Sequence, residues 1–167
     1  MRFYIYKKIN IFIAVMFFLL QLSNIVYAET ESELLYLSSI DSYDAFKYED
    51  SIKKLLGAIE KEPNVAKYHH LLAKSYGKEA EKSGWLRAVR YAKKTLHHLE
   101  LASKLDVNNI EILKDLMKYY NDAPMFLGGS SKKASKIETK IKAIPVSYTH
   151  LRAHETDSYL VCRLLLE

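Results

Sequence analysis

Between residues 48 and 144, apolar residues recur at intervals of three and four positions, with few prolines or glycines among them. This spacing places apolar side chains on one face of a helix and charged side chains on the opposite face. No window shows the alternation of a half-buried strand. The successive segments are YEDSIKKLLGAIEKEPN, VAKYHHLLAKSYGKEA, residues 86–105, NNIEILKDLMKYYNDA and residues 130–144. The sequence therefore predicts an all-α chain.

Turn residues separate the predicted helices. Glu62-Pro63-Asn64 ends one helix and begins the next, because proline fits the first turn of a helix but not its interior. Asn108 and Glu111 have the spacing of a capping box, which predicts Asn108 as an N-cap. Gly128-Gly129 precedes Ser130, a predicted N-cap. An anion could bind the helix start there, but the lysine spacing of a P-loop is missing, which favours a simple turn.

An internal repeat becomes visible when the sequence is shifted by 44 residues. The shift aligns Leu72 with Leu116 and Tyr76 with Tyr120. Repeated helix pairs that bury their apolar faces against neighbouring pairs are typical of an α-solenoid. A standard repeat built from one helix pair has about 34 residues, and we expect the additional residues to form a loop, 78–87, between the two helices of a pair.

The stretch LASKLDVNNIEILKDLMKYY resembles the tetratricopeptide repeat (TPR) pattern, in which Leu-Asp-Pro closes one helix and Asn opens the next repeat. Val107 stands here in place of the proline. The stretch KYYNDAPMFLGGSSKKASK is similar to a segment of exported bacterial TPR-like proteins. The resemblance covers residues 48–144 and implies antiparallel helix pairs stacked as a short α-solenoid. It also implies a concave face that accepts a protein or peptide partner.

The first 28 residues have the layout of a cleavable secretory signal. Lys7 and Lys8 precede an apolar run from Ile11 to Leu22, and Val26-Tyr27-Ala28 places small or modest side chains at the positions of a cleavage site. An uncleaved anchor is the alternative, although the run is short for a bilayer span of about 20 residues. We therefore expect residues 1–28 to be a signal peptide, 29–47 a lead-in, and the chain to reach the periplasm or cell envelope. Contact with the membrane is expected only through the signal segment, during export.

The final residues resemble translated DNA of a sequencing adapter. The run VSYTHLRAHET and the run LVCRLLLE, within residues 146–167, can be written as the codons of such an adapter. We therefore interpret residues 145–167 as a non-native tail and expect the natural protein to continue differently after residue 144. His150 and His154, spaced like zinc ligands on a helix, and Cys162 lie in this tail and are assigned no function.

Charge and cysteine content limit both the function and the means of stabilisation of residues 29–144. The chain carries a formal net charge of +5, of which the segments outside residues 29–144 contribute two, so the remainder is only weakly basic. Such a balance gives little support to nucleic-acid binding. Since the one cysteine lies in the tail, no disulfide is available to residues 29–144, and stability there must come from packing.

The two adjacent histidine pairs do not form obvious metal sites. Neighbouring residues on a helix point about 100° apart, so neither His69-His70 nor His97-His98 can chelate one ion alone. A site formed between the helices by one histidine from each pair stays open. No cysteine or carboxylate accompanies them at ligand spacing, which favours solvated or partly buried histidines. No metal and no other cofactor is predicted.

No catalytic set emerges from the sequence, and we expect a non-enzymatic interaction module. Aromatic residues are enriched at binding hot spots, which suggests Tyr68, Trp85 and Tyr119 as partner contacts. Tyrosines at helical spacing more often belong to the core, the interpretation we favour for Tyr76 and Tyr120. Two alternatives are a ligand-binding helical subunit that accompanies a transporter, and a helper domain of a larger protein.

Overall fold

The computed structural model describes residues 31–145, and the predicted signal peptide and tail lie outside them. Within that range the chain is helical and has no strand, which confirms the predicted all-α class. The first described helix, α1, covers residues 31–44. It is followed by α2 (Tyr48–Lys61), α3 (Ala66–Lys82), α4 (Trp85–Leu105), α5 (Ile110–Asp122), a 3-10 turn (Met125–Leu127) and α6 (Ser131–Ala143). No helix in residues 31–145 is both long enough and apolar enough to cross a membrane.

The chain divides into two compact units between Asn64 and Val65. The described part of the first unit is an antiparallel pair of helices, α1 and α2. Ser32, near the start of α1, donates a hydrogen bond of 2.6 Å to Glu62 just after α2. Ser42, near the end of α1, donates one of 2.6 Å to Asp50 in the first turn of α2. The predicted lead-in therefore contains a helix that packs on its neighbour, an element for which the sequence pattern had given no prediction.

In the second unit, α3 and α4 are joined by only Ser83 and Gly84. The predicted loop over residues 78–87 is therefore wrong. The sequence KEAEK is made of good helix formers, and Lys78 pairs with Glu81 at 3.0 Å within the last turns of α3. Since nothing interrupts the helix before Ser83-Gly84, the additional length of the repeat is taken up by longer helices.

The 44-residue repeat is visible in the helix ends. Lys61 and Leu105 end α2 and α4 at equivalent positions, and Ala66 and Ile110 begin α3 and α5 at equivalent positions. The closing hydrogen bonds also repeat. The amide of Glu62 donates to the carbonyl of Ala58, and the amide of Asp106 donates to that of Ala102. The same local structure therefore closes two helices 44 residues apart.

One apolar cluster of the second unit draws residues from α3, α4, α5 and α6. Its buried members are Ala73, Leu99, Leu116, Tyr120 and Ala134. Tyr76 is also buried, so the prediction that both repeat tyrosines belong to the core is confirmed. Both aligned leucines, Leu72 and Leu116, are likewise buried, as expected for helices that hide one apolar face.

Of the predicted helix starts, one is confirmed and two are corrected. Pro63 lies in a turn ahead of α3 and not in its first helical turn. Ser130 caps α6, because its hydroxyl accepts a hydrogen bond from the amide of Lys133. At the start of α5, however, the cap is Asn109 and not Asn108. The Asn109 side chain accepts from the amides of Glu111 and Ile112. The capping-box pattern placed this helix one residue too early, since two adjacent asparagines can both serve as caps and packing decides between them.

The loop before α6 is a turn held by its own backbone. Gly128 has a φ of 95°, in the left-handed region that favours glycine. The amide of Gly129 donates to the carbonyl of Pro124, and that of Ser130 to the carbonyl of Tyr120. A Cβ atom on Gly129 would lie 1.7 Å from the carbonyl oxygen of Ala123. The two glycines are therefore needed for the close approach of the chain, in agreement with the simple turn favoured above.

Candidate functional site

The three suggested contact residues occupy very different environments. Tyr68 lies in the interior, with 1% of its surface exposed, so its ring is not presented to solvent. Tyr119 is partly buried. Trp85 is 74% exposed at the first turn of α4 and not in a loop, as the sequence had suggested. Of the three, Trp85 alone has a ring that a partner could cover.

The Tyr119 hydroxyl connects three elements of the second unit. It donates to the carbonyl oxygen of Ala92 on α4, at 2.9 Å, and to that of Leu127 in the 3-10 turn, at 3.1 Å. Burial raises the pKa of this hydroxyl, so it stays protonated and able to donate. Through these two hydrogen bonds, Tyr119 holds the 3-10 turn against α4.

Among the exposed apolar side chains in the described part of the second unit, four are at least 68% exposed, and we call them the exposed apolar surface: Trp85, Leu86, Met125 and Phe126. Met125 is 88% exposed and Phe126 is 71% exposed. Both belong to the 3-10 turn that Tyr119 holds against α4. Burying such side chains in a partner would be favourable, because each contributes roughly 1.5–3 kcal/mol when fully removed from water.

Helix geometry places both parts of this surface on one face of α4. Trp85 precedes Ala92 by seven residues and Leu96 by eleven, spacings that return to the same side of a helix. A Cβ atom on Gly128, which follows the 3-10 turn, would lie 2.4 Å from the Leu96 side chain. The 3-10 turn therefore packs on the α4 face that carries Trp85. Trp85 and Ala92 are about 10 Å apart along the axis.

One histidine from each of the two adjacent pairs lies at the contact between α3 and α4. The Nδ1 atoms of His69 and His98 are 3.1 Å apart, and their rings stack with an interplanar angle of 17°. The Tyr76 ring also stacks on the His98 ring, and the two ring centroids are 5.8 Å apart. Burial, together with His69, His97 and Lys94, lowers the pKa of His98 to about 4. His98 is therefore uncharged near neutral pH.

The remaining buried histidine, His70, meets a carboxylate on α5. Its Nε2 atom is 2.7 Å from Oδ2 of Asp115. Burial alone would raise the pKa of Asp115, but the hydrogen bond with His70 and the charges of Lys74 and Lys118 lower it below the ordinary value. Glu111 lies one turn before Asp115, and its Oε1 atom is 3.5 Å from the Lys74 ammonium.

The sequence shows no carboxylate at ligand spacing from the histidines, and the fold brings one to His70 from another helix. The expectation of solvated or partly buried histidines is wrong for His69 and His70, which are buried. Asp115 is 45 residues away along the chain, so spacing within one helix could not reveal it. The 44-residue repeat does contain a signal, because it aligns His70 with Lys114, the neighbour of Asp115. Equivalent helices of adjacent repeats are expected to lie side by side, which brings these positions together.

A cavity of about 350 Å³ opens between α4, α5 and α6. Leu116, Ile137 and Tyr120 supply its apolar and aromatic lining. The Tyr120 hydroxyl donates to Oε1 of Glu100, and Lys133 lies 3.4 Å from the same carboxylate. Burial and the Glu100 carboxylate raise the pKa of Tyr120. Tyr120, Glu100 and Lys133 thus already bind one another.

Comparison with known proteins supplies no relative from which a role could be transferred. No protein-family model matches this sequence, and a search of curated proteins gives no match. The features that bear on function are therefore the exposed apolar surface, the cluster around His70 and the cavity beside Tyr120.

Proposed function

We propose that this chain is a non-enzymatic protein-interaction module of the periplasm or cell envelope, and that it binds a protein or peptide partner through the exposed apolar surface. The observation that carries the proposal is the exposure of Trp85, Met125 and Phe126 beside a packed core. Tryptophan is prominent among residues that dominate binding energy. Large apolar groups gathered on one face of a soluble domain are typical of interaction sites.

The repeat supports a TPR-like scaffold for this role. Two helices end in the same way 44 residues apart, and α3 packs on α4 while α5 packs on α6. Such pairs, stacked one on the next, would form a short α-solenoid whose surface is extended by each unit. The predicted signal peptide over residues 1–28 is what favours export.

A second candidate is a small-ligand subunit, and the cavity beside Tyr120 is the observation that favours it. Its volume of about 350 Å³ falls within the range of ligand pockets, roughly 300–1,000 Å³. Lys104, Lys133 and Lys136 line it, which would suit an acidic ligand with an apolar body. Glu100 already pairs with Lys133 at 3.4 Å, which reduces the charge open to a ligand, so we rank the candidate second.

Photo-crosslinking tests the first proposal directly. A benzophenone amino acid is placed at Phe126 in the full chain, produced with its signal in the organism that encodes it. We expect one protein to be crosslinked there, and to be lost when Trp85→Ala is added. The matched control carries the same group at Val107, an exposed apolar position beyond the opposite end of α4.

The partner identified at position 126 is then purified for titration against the wild-type chain. Equal crosslinking at positions 126 and 107, or crosslinking unaffected by Trp85→Ala, would contradict the proposal. A crosslinked protein that shows no binding in the titration would contradict it as well. Specific retention of an organic acid by the purified chain, without any crosslinked protein, would favour the second candidate.

A further inference from the structure

Three potential metal ligands meet between α3 and α5. His70 offers an imidazole nitrogen, and Glu111 and Asp115 each offer a carboxylate oxygen, with the three atoms within 4.8 Å of one another. Glu111 and Asp115 are four residues apart on α5, a spacing that places both carboxylates on one side of the helix. His70 comes from α3, so the set combines two helices of the second unit.

We propose that His70, Glu111 and Asp115 bind one divalent transition-metal ion of the Zn²⁺ class, with water completing the coordination. The donor set decides the class of ion. An imidazole nitrogen suits zinc and its transition-metal neighbours, whereas Mg²⁺ and Ca²⁺ prefer oxygen ligands throughout. Two carboxylates and a neutral imidazole carry a formal charge of −2, which balances the charge of the ion.

The geometry requires only small side-chain movements. Zinc binds nitrogen and oxygen ligands at about 2.0–2.2 Å, so in a tetrahedral site two ligand atoms lie about 3.3 Å apart. His70 Nε2 and Asp115 Oδ2, now 2.7 Å apart, would separate by about 0.6 Å. The Glu111 carboxylate would move inward, which its exposed side chain permits. The ion would take the position of the hydrogen atom between His70 and Asp115, and the neutral imidazole would then carry its hydrogen on Nδ1.

The positions of the three ligands provide both support and access. The His70 side chain is mostly covered and the Asp115 side chain is about a third exposed, whereas most of the Glu111 side chain is in solvent. An ion can therefore enter beside Glu111 and come to rest on ligands held by packing. Once bound, it would link α3 to α5 more strongly than the single hydrogen bond does.

Lys74 provides a distinguishing feature of the site. Its ammonium lies 3.5 Å from Oε1 of Glu111, so it neutralises the carboxylate that a metal ion would use. Such an exposed ion pair is weak and can be displaced. Removing the lysine charge should therefore strengthen metal binding, an effect opposite to that of removing a ligand.

Metal titration of the full chain tests this proposal. Zn²⁺ binding is measured by calorimetry, and Co²⁺, as a spectroscopic substitute, by the visible absorption that reports four-coordinate geometry. We expect one ion per chain at this site. His70→Asn and Asp115→Asn should each weaken binding at least about tenfold, since loss of even an outer hydrogen-bond partner costs 10–100-fold. Lys74→Met should strengthen it severalfold.

Matched controls separate this site from other metal ligands in the chain. His97→Asn and Asp122→Asn make the same chemical changes at exposed positions of α4 and α5, and both should bind as the wild type does. His150, His154 and Cys162 are present in every variant, so any binding by the tail is common to all. Circular dichroism confirms that each variant keeps its helices.

Two results would overturn the proposal. One is metal binding that is equal in the wild type, His70→Asn and Asp115→Asn, which would assign the ion to other residues. The other is a wild-type chain that binds no Zn²⁺ or Co²⁺ at micromolar concentrations. The proposal does not depend on the partner-binding surface, and crosslinking at Phe126 and metal titration can succeed or fail separately.

Discussion

The Nδ1 atoms of His69 on α3 and His98 on α4 lie 3.1 Å apart with their rings stacked. At this distance one Nδ1 must carry the proton and the other must accept it, because two protonated nitrogens would repel each other. His97, Lys94 and burial also oppose a charge on His98, whose pKa is about 4 in the folded chain. An uncharged His98 is therefore a condition for this contact.

We expect the chain to lose stability as the pH falls from about 6.5 toward 4. In that window the unfolded chain binds a proton at His98, with an ordinary pKa of about 6.5, while the folded chain does not. The free energy of unfolding must therefore rise with pH through the window and level off above it. Since His98 is only partly buried, we expect a loss of roughly 1–2 kcal/mol.

Urea denaturation between pH 5 and 8 measures this dependence. His98→Asn keeps a polar atom near the position of Nδ1 but does not titrate, so its stability should vary less with pH than that of the wild type. His97→Asn, an exposed neighbour, is the matched control and should retain most of the dependence. Equal slopes for the wild type and His98→Asn would show that other groups are responsible.

Leu72→Ala and Leu116→Ala should each destabilise the chain by about 2–5 kcal/mol. Both leucines are buried, and shortening them removes apolar contacts and leaves a cavity. Leu86→Ala makes the same change at an exposed position and should stay within about 0.5 kcal/mol of the wild type. Chemical denaturation gives the three values. A small effect at both buried positions would contradict the packing of the helix faces described above.

Gly128→Ala and Gly77→Ala should shift stability in opposite directions. At Gly128 the backbone has a φ of 95°, and a Cβ atom would lie 2.4 Å from Leu96. We expect a loss of about 1–3 kcal/mol there. Gly77 lies inside α3 with no atom closer than 3.9 Å to the new Cβ, so alanine should stabilise the helix by roughly 0.5–1 kcal/mol. Thermal unfolding of the two variants measures the difference in sign.

Replacement of the two adjacent asparagines before α5 distinguishes the true helix cap from its neighbour. Asn109→Ala removes the acceptor for the amides of Glu111 and Ile112 and should cost about 1 kcal/mol. Asn108→Ala should have a much smaller effect, because the Asn108 side chain is not the cap. The comparison uses the free energy of unfolding in urea. A larger loss at Asn108 would restore the capping box expected from the sequence.

Helix content and most helix ends could be predicted because they depend on local chemistry. Proline at position 63 and the glycines before Ser130 interrupt the chain in ways that any fold must accommodate. The loop over residues 78–87 was predicted from the length of a standard repeat, although KEAEK itself favours a helix. Local propensity was the better guide there.

The environment of single side chains was harder to predict, because it depends on residues far apart in the chain. Tyr68 and Trp85 are both aromatic residues in the first turn of a helix, yet one is buried and the other exposed. The partner of His70 is on another helix, and only the register between α3 and α5 brings Asp115 to it. The periodicity of a single helix predicts neither the burial of Tyr68 nor the contact between His70 and Asp115.

The two-residue link at Ser83-Gly84 bears on the speed with which the second unit assembles. Because α4 begins immediately after α3 ends, the two helices can meet without closing a long loop, and little chain entropy is lost before their contacts form. Domains dominated by such local contacts fold in microseconds to milliseconds. The apolar side chains that α3 and α4 turn toward each other would thus leave water early, before the more distant helices of the unit have joined them.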